Sequence, residues 1–123
     1  MSALLPTRRF FLNEIETDCS IGIHDFERAA KQRVLIDVEV VLDPQKEPQS
    51  DNIEEALDYD MLRDSVVEIV TSKHFDLQET LARTIFDKMM SLPTVIEARV
   101  RTSKPDVYAD CREVAYQLSN IQR

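Results

Sequence analysis

The spacing of apolar residues switches twice along this chain of 123 residues, and the switch limits the folds that are open to it. In residues 33–42 apolar side chains recur at every second position, which is typical of a strand. Residues 8–24 show a looser mixture of apolar and polar positions, and we expect a long strand there that is interrupted near Gly22. Polar residues 25–31 separate the two strands and are predicted to form a loop.

The middle of the chain has a helical repeat instead. In residues 59–71 apolar positions recur three or four apart, which places them on one face of a helix that Asp58 could cap. A second apolar stripe follows and stops before Pro93. Asp76 and Glu79 have the spacing of a capping box, which predicts that the second helix begins at Asp76.

Period two returns over residues 96–102 and 114–118. The order strand–strand–helix–helix–strand–strand indicates one α+β domain over residues 1–123. Two helices on one face of such a sheet would leave its two edges open, and open edges favour pairing with a second copy of the chain. Because the chain has one glycine, tight two-residue hairpin turns are disfavoured and longer loops are expected, where functional residues tend to lie.

The acidic composition argues against several functional classes. With 15 Lys and Arg against 23 Asp and Glu, the formal charge of −8 is unsuited to binding phosphate backbones, so we expect no nucleic-acid partner. The apolar runs are much shorter than the roughly 20 residues that cross a bilayer. The N-terminal segment is also too short and too charged for a signal peptide. We therefore expect a cytoplasmic protein with no membrane partner.

Cysteine and histidine usage gives no sign of a disulfide framework or a metal site. Cys19 and Cys111 could pair only once, and reduced thiols are the simpler interpretation. His24 and His74 lack partners at zinc-ligand spacing, so we expect no metal. A single glycine also cannot build a glycine-rich phosphate loop.

Four polar residues remain as candidates for chemistry, and each also has an ordinary structural explanation. Glu27 could be a solvated loop carboxylate, and Tyr59 could be an aromatic residue that packs beside the helix cap. Glu79 could serve only in the capping box, and Lys104 could be a surface lysine at the end of a strand. Taken singly, none of the four indicates a function.

Four short segments, taken together, are more specific. They are Ile21-Gly22-Ile23-His24-Asp25-Phe26-Glu27 with Gln32, Leu57-Asp58-Tyr59, Leu77-Gln78-Glu79-Thr80-Leu81-Ala82, and Ser103-Lys104-Pro105. In this order and at this spacing the chain resembles the dihydroneopterin aldolase family over most of its length. The resemblance implies the tunnelling fold, in which an antiparallel four-stranded sheet carries two helices and subunits join edge to edge into rings. It also implies a homo-oligomer, a tetramer or octamer, with active sites between neighbouring subunits.

The resemblance implies an activity and a set of substrate-binding residues. The activity is an aldehyde-lyase reaction of folate biosynthesis, the retro-aldol cleavage of dihydroneopterin, with some epimerisation of its side chain. Glu79 would anchor the pterin, because the 2-amino and N3–H groups form two parallel donors that match a carboxylate. Gln78 and backbone groups of Leu57 and Asp58 would border the ring.

Three residues match the family's catalytic positions. Lys104 would place an ammonium near the ring's imine nitrogen and would form no Schiff base, because the dihydropterin ring already contains an imine. Tyr59 would position water and help to protonate the intermediate. Glu27 would contact the hydroxyls of the substrate's side chain. No cofactor is implied.

Two alternatives stay open at this stage. The segment Val107-Tyr108-Ala109-Asp110-Cys111 is similar to the related dihydroneopterin triphosphate epimerase, whose substrate would require a basic entrance to the site. The chain could also be a non-catalytic pterin- or purine-binding module. A module that only binds would need Glu79 but would have less need of Lys104.

Overall fold

The structure is a computed structural model that describes residues 4–122, so residues 1–3 and 123 of the predicted domain lie outside it. Within residues 4–122 it contains four strands, three α-helices and two 3₁₀ turns. The strands are β1 (Arg8–Cys19), β2 (Gln32–Leu42), β3 (Val95–Lys104) and β4 (Val114–Ser119). The helices are α1 (Asp25–Ala29), α2 (Tyr59–Ser72) and α3 (Gln78–Met90), and the 3₁₀ turns are Pro44–Lys46 and Ile53–Glu55.

The four strands form one antiparallel sheet in the order β1-β2-β3-β4. Val38 of β2 pairs with Leu12 of β1 on one side and with Val100 of β3 on the other. The register brings the apolar alternate positions of the central strands onto the same face. The predicted α+β class and the order of its main elements are therefore confirmed.

The hydrophobic core lies between this face and the two long helices. Helix α2 contacts β1, α3 contacts β3 and β4, and the helices contact each other, so both lie on the same side of the sheet. Each helix buries one stripe three or four residues apart, as the sequence pattern predicted. The fully buried members of these stripes are Leu62, Val66 and Val70 in α2 and Leu81, Ile85 and Met89 in α3.

The helix-free face of the sheet carries charged side chains in pairs. The Glu39 carboxylate is almost fully buried between Arg9 and Arg99, which both form salt bridges with it. Burial alone would raise the pKa of Glu39, but the hydrogen bonds from the two guanidinium groups lower it overall. Arg101 in turn pairs with Glu113 at 2.8 Å. The helix-free face thus carries salt-bridged charges and differs from the apolar face that builds the core.

Two predictions about local structure are wrong. Residues 25–31 were expected to be a loop, but Asp25–Ala29 is a short helix in which the Glu27 carboxylate accepts a hydrogen bond from the His24 amide at 3.4 Å. The strand expected over residues 8–24 ends at Cys19. The expected interruption is real, since Ile21 makes only an isolated bridge to Phe75 and Gly22 has a φ of 124°.

The predicted capping box of α3 is also absent. The helix begins at Gln78, and Leu77 stands at the N-cap without a side-chain cap. The backbone before it is extended because Phe75 bridges to Ile21, so Asp76 lies too early to cap the helix. The Asp76 carboxylate instead pairs with Arg28 at 2.9 Å.

Candidate active site

A cavity of about 290 Å³ opens where the end of β3 meets the start of α3 and the turn that follows β1. Four of the predicted site residues line it: Glu27, Gln78, Glu79 and Lys104. The long-range pairing of the sheet and the packing of α3 bring together residues that are up to 77 positions apart in the sequence. The site therefore depends on the completed fold rather than on a single loop.

An enclosed ion pair forms the floor of this cavity. The Lys104 ammonium donates to the Glu27 carboxylate at 2.9 Å, and the two side chains are only 12% and 10% exposed. Gln32 donates a second hydrogen bond to the same carboxylate at 3.1 Å. Burial raises the pKa of Glu27, but the hydrogen bonds from Lys104, Gln32 and the His24 backbone outweigh it and lower the pKa to about 2. Glu27 is therefore ionised at neutral pH.

The single glycine of the chain makes room for this carboxylate. Gly22 has a φ of 124°, a backbone conformation that other residues rarely adopt. A Cβ atom at this position would overlap the carboxylate of Glu27. Two independent features therefore require glycine at position 22: the backbone conformation and the close approach of Glu27.

Gln78 fixes the start of α3 beside Lys104. Its amide nitrogen donates to the carbonyl of Thr102 at 2.9 Å and to the carbonyl of Val114 at 3.1 Å, so it bridges β3 and β4. Val114 pairs with Lys104 in the sheet. The amide nitrogen of Gln78 is therefore engaged in holding the site together, and its role in substrate binding stays a prediction.

Glu79 occupies the first turn of α3 and presents an exposed carboxylate to the cavity. Within residues 4–122 this carboxylate has no hydrogen-bond partner, since the capping box with Asp76 does not form. The amides at a helix N-terminus favour a negative charge nearby. The arrangement leaves both oxygens of Glu79 available to two parallel donors of a ligand.

The other three predicted residues lie apart from this cavity. Asp58 caps α2, where its carboxylate accepts from the Asp60 amide at 2.9 Å. Tyr59 is 56% exposed and its ring lies 5.8 Å from that of Phe10. Neither they nor Leu57 belong to the cavity lining of the single chain. One chain thus assembles Glu27, Gln78, Glu79 and Lys104 only.

The structure adds site residues that the sequence reasoning missed. Ile23, Leu77, Val107 and Tyr108 are exposed apolar side chains that line the cavity mouth. Val107 and Tyr108 could have been proposed from the sequence, because they belong to the segment that is similar to the triphosphate epimerase. A signal for Ile23 and Leu77 existed as well, because both stand inside the quoted motifs. Exposed apolar side chains around a polar floor suit a flat heterocycle with a polar edge.

The two cysteines of the chain are not paired with each other. Both Cys19 and Cys111 are free, and burial raises the pKa of the Cys19 thiol to about 11, against smaller opposing effects of Lys104 and Lys31. The Cys19 thiol therefore stays protonated and is a poor nucleophile.

Among residues 4–122, no cluster of three His, Cys, Asp or Glu side chains could hold a metal ion. None of the helices in that part of the chain is long and apolar enough to span a bilayer.

Comparison with known proteins gives one consistent family. The family model described as dihydroneopterin aldolase matches residues 10–119. The chain is 28% identical to a dihydroneopterin aldolase of Haemophilus influenzae over 86% of this chain and 90% of the relative. It is 27% identical to a dihydroneopterin triphosphate 2'-epimerase of Pseudomonas aeruginosa over 90% of both chains. The solved structure of a dihydroneopterin aldolase from Burkholderia thailandensis bound to guanine is 34% identical, superposes with a TM-score of 0.83, and covers 95% of this chain and 93% of that one.

Proposed function

The chain belongs to the dihydroneopterin aldolase family, and from this premise we propose that it cleaves 7,8-dihydroneopterin into 6-hydroxymethyl-7,8-dihydropterin and glycolaldehyde. This is a retro-aldol reaction, so the activity is that of an aldehyde-lyase in folate biosynthesis. The observation that carries the proposal is one cavity that contains both an exposed acceptor, Glu79, and an enclosed charge pair, Lys104 with Glu27. Membership of the family agrees with this pairing of a binding group and a reactive group.

Glu79 suits the recognition edge of a pterin. The ring's 2-amino and N3–H groups are parallel donors, and a carboxylate can accept from both. Guanine, which is bound in the Burkholderia relative, has the same pair of donors on its pyrimidine ring. The Glu79 carboxylate has no competing partner in residues 4–122, which supports its role as the anchor.

Lys104 would act at the opposite end of the bound ring. Cleavage begins when a base takes the proton of the hydroxyl on the second side-chain carbon, which becomes the aldehyde carbon of glycolaldehyde. The carbon–carbon bond then breaks, glycolaldehyde leaves, and the bonding electrons pass into the ring's imine. The ammonium of Lys104 would stabilise the charge that collects on the imine nitrogen, and one such donor is typically worth roughly 3 kcal/mol. Proton addition to the resulting enamine carbon gives the hydroxymethyl product.

Glu27 is better suited to binding and orientation than to proton abstraction. With a pKa of about 2, its carboxylate is a weak base at neutral pH. Its oxygens can accept hydrogen bonds from the hydroxyls of the substrate's side chain while one of them holds Lys104. Tyr59 is proposed to position the water that moves protons during the reaction.

The separate location of Tyr59 supports a site that two subunits share. We propose that Leu57, Asp58 and Tyr59 of a neighbouring subunit complete the cavity, within a tetramer or octamer. The open outer strands β1 and β4 offer edges through which subunits can join. The cytoplasmic location expected from the sequence stays a prediction.

The triphosphate epimerase is the second candidate, since a named epimerase from Pseudomonas aeruginosa is a relative of comparable identity. The charges of the cavity disfavour it. Three carboxylates, those of Glu27, Asp76 and Glu79, line the cavity against one ammonium, that of Lys104. Glu27 already pairs with Lys104 and Asp76 with Arg28, which leaves Glu79 unpaired and, among the described lining residues, no unpaired lysine or arginine that could bind a triphosphate. A non-catalytic binding module would have little use for an enclosed Lys104.

Incubation with two substrates tests the proposal. The purified protein is supplied with 7,8-dihydroneopterin or with its triphosphate, and products are separated by chromatography. We expect glycolaldehyde and 6-hydroxymethyl-7,8-dihydropterin from the first substrate. Faster conversion of the triphosphate to its side-chain epimer would favour the epimerase instead. Tight pterin binding without either product would favour the binding module.

A further inference from the structure

His74 has no role in the proposed chemistry, yet its ring joins the end of β1 to the segment before α3. One ring nitrogen, Nδ1, lies 2.6 Å from the Ser20 hydroxyl, and the other, Nε2, lies 2.8 Å from the carbonyl oxygen of Gly22. The side chain is 24% exposed, so it is mostly enclosed by these partners. Both nitrogens are therefore engaged at the same time.

The partners define which nitrogen of a neutral ring carries the proton. A carbonyl oxygen can only accept a hydrogen bond, so Nε2 must donate to Gly22. Nδ1 is then the acceptor of the Ser20 hydroxyl. In this arrangement the ring acts as a rigid link from the Ser20 side chain to the peptide that follows Gly22.

This peptide follows Gly22, the residue against which the Glu27 carboxylate of the cavity floor packs. Two backbone bonds of 2.9 Å, from the Phe75 amide to the Ser20 carbonyl and from the Gly22 amide to the Phe75 carbonyl, hold the residues on the β1 side. Glycine has wide freedom of rotation, so these bonds leave the following carbonyl unconstrained. The bond from His74 supplies that constraint.

Gly22 in turn shapes the position of the Glu27 carboxylate. The carboxylate lies so close to Gly22 that no side-chain carbon fits between them. A rotation of the peptide after Gly22 would move the chain that leads into α1, including the His24 amide that donates to Glu27 at 3.4 Å. It would thereby displace the Glu27 carboxylate and the Lys104 ammonium that it holds at 2.9 Å.

The charged groups around His74 support the same geometry. The Asp76 carboxylate lies 3.4 Å from Nε2 and is itself paired with Arg28 of α1 at 2.9 Å. The Arg28 side chain also donates to the carbonyl of Ile23 at 3.5 Å. The link from His74 thus continues through Asp76 and Arg28 to the helix that carries Glu27.

From this geometry we infer that His74 is a positioning residue for the reaction, which holds the Gly22 peptide and thereby sets the Glu27–Lys104 pair in its reactive place. The inference rests on the proposed function, because turnover is its first readout. If His74 only stabilised the fold, its replacement would lower the free energy of unfolding but would not lower kcat selectively over KM. A positioning role affects kcat most, because misplacement of the reacting groups by a fraction of an ångström slows chemistry more than binding.

Two variants of His74 and one control test the inference. His74→Ala removes both hydrogen bonds, whereas His74→Gln keeps an amide N–H near the place of Nε2. Lys73→Ala is the matched control, since Lys73 lies next to His74 but stacks on the Phe75 ring. We expect His74→Ala to lower kcat roughly ten- to hundredfold with little change in KM. We expect His74→Gln to recover most of the loss and the control to behave as the unmodified protein does.

A readout that does not need turnover keeps the two proposals separate. The ¹³C signal of the Glu27 carboxyl, followed by NMR from about pH 5 to about pH 3, should show an ionised group in the unmodified protein and partial protonation in His74→Ala. If the unmodified protein does not cleave dihydroneopterin but this shift occurs, the proposed function fails and the positioning role stands. An unchanged carboxyl signal together with unchanged kcat in His74→Ala would overturn the role of His74. A glutamine variant as slow as the alanine variant would overturn the assignment of the Gly22 bond as its basis.

Discussion

At the scale of single residues, Lys104 and Glu27 are two opposite charges that the protein encloses. Enclosing two charges removes their hydration, and the resulting cost often offsets their attraction. The pair at 2.9 Å is therefore weak evidence for a stabilising role. A reaction that develops negative charge on a ring does need a fixed ammonium, and Glu27 and Gln32 keep the surroundings of Lys104 ordered.

Replacement of Lys104 by alanine should therefore affect turnover more than binding. Loss of one donor to a developing negative charge typically lowers kcat by roughly 10²–10³-fold. The planar guanidinium of Lys104→Arg should rescue poorly, because it cannot place a compact charge at the same point. Steady-state kinetics with dihydroneopterin and calorimetry with neopterin measure the two effects. Treatment with borohydride and substrate should leave the protein mass unchanged, and a trapped adduct at Lys104 would contradict this mechanism.

Replacement of Glu79 by glutamine should have the opposite effect. The amide keeps the shape but loses the charge and one acceptor, which costs roughly 1.5–3 kcal/mol for each charged hydrogen bond. We expect pterin affinity to fall roughly ten- to hundredfold, as measured by calorimetry with neopterin. Asp87→Asn, an exposed carboxylate at the other end of α3, is the matched control. Unchanged affinity in Glu79→Gln would leave Glu79 with only a helical role.

The pKa of Glu27 leads to a prediction about acid stability. Its folded-state pKa of about 2 lies below its ordinary value of 4.5, so folding favours the ionised over the protonated carboxyl. The stability that this preference adds is complete above about pH 4.5 and is lost as the pH falls towards 2. Urea unfolding at several pH values should show a free energy of unfolding that decreases through this range. In Glu27→Gln the free energy of unfolding should still decrease with falling pH, but less steeply. Glu113 titrates in the same range, because hydrogen bonds from Arg101 and Ser103 lower its pKa to about 2.

At the scale of elements, the predictable parts are those whose causes are local. Helix α2 combines a clear apolar stripe with a cap at Asp58, and both are visible in neighbouring residues. Helix α1 has five residues, too few to establish a period, and its Glu27 is held by Lys104, which lies 77 positions away in the sequence. The start of α3 was misplaced because a bridge between Ile21 and Phe75 overrides the local capping pattern.

The candidate site likewise combines residues that local motifs predict with contacts that depend on distant segments. Glu27, Glu79 and Lys104 could be proposed from short motifs, because a family resemblance marks residue types at fixed positions. The bridge from Gln78 to two strands, and the link from His74 to Gly22, depend on contacts between segments that are far apart in sequence. No local pattern encodes these contacts, so the fold had to be known first.

The cap of α2 gives a prediction that separates stability from binding. Asp58→Ala removes the acceptor of the Asp60 amide and should lower the free energy of unfolding by about 1 kcal/mol. If Asp58 contributes only backbone groups to a neighbouring site, neopterin affinity should change little. Thermal unfolding and calorimetry measure the two quantities. A large loss of affinity with normal stability would instead assign the Asp58 carboxylate itself to the pterin.

At the scale of the whole molecule, the main feature is a sheet that is open at both edges within residues 4–122. Its outer strands, β1 with 12 residues and β4 with 6, each have a free edge. The helix-free face carries paired charges such as Arg101 with Glu113, rather than an apolar surface. Joining of subunits through the strand edges would extend the sheet without burying that charged face, which is the geometry of a ring.

Mixed oligomers provide a test of the shared site. Tyr59→Ala and Lys104→Ala should each be inactive as homo-oligomers, and light scattering should show that each is a tetramer or octamer. If a site takes Tyr59 from one subunit and Lys104 from the next, unfolding and refolding an equal mixture produces some sites in which both residues are intact. Random assembly in a closed ring restores about one quarter of the sites. If both residues instead act within one subunit, every site in the mixture lacks one of them and activity stays at the level of the separate variants. An active monomer at assay concentration would contradict the shared site directly, because one chain keeps Tyr59 against Phe10 and outside the cavity that contains Lys104.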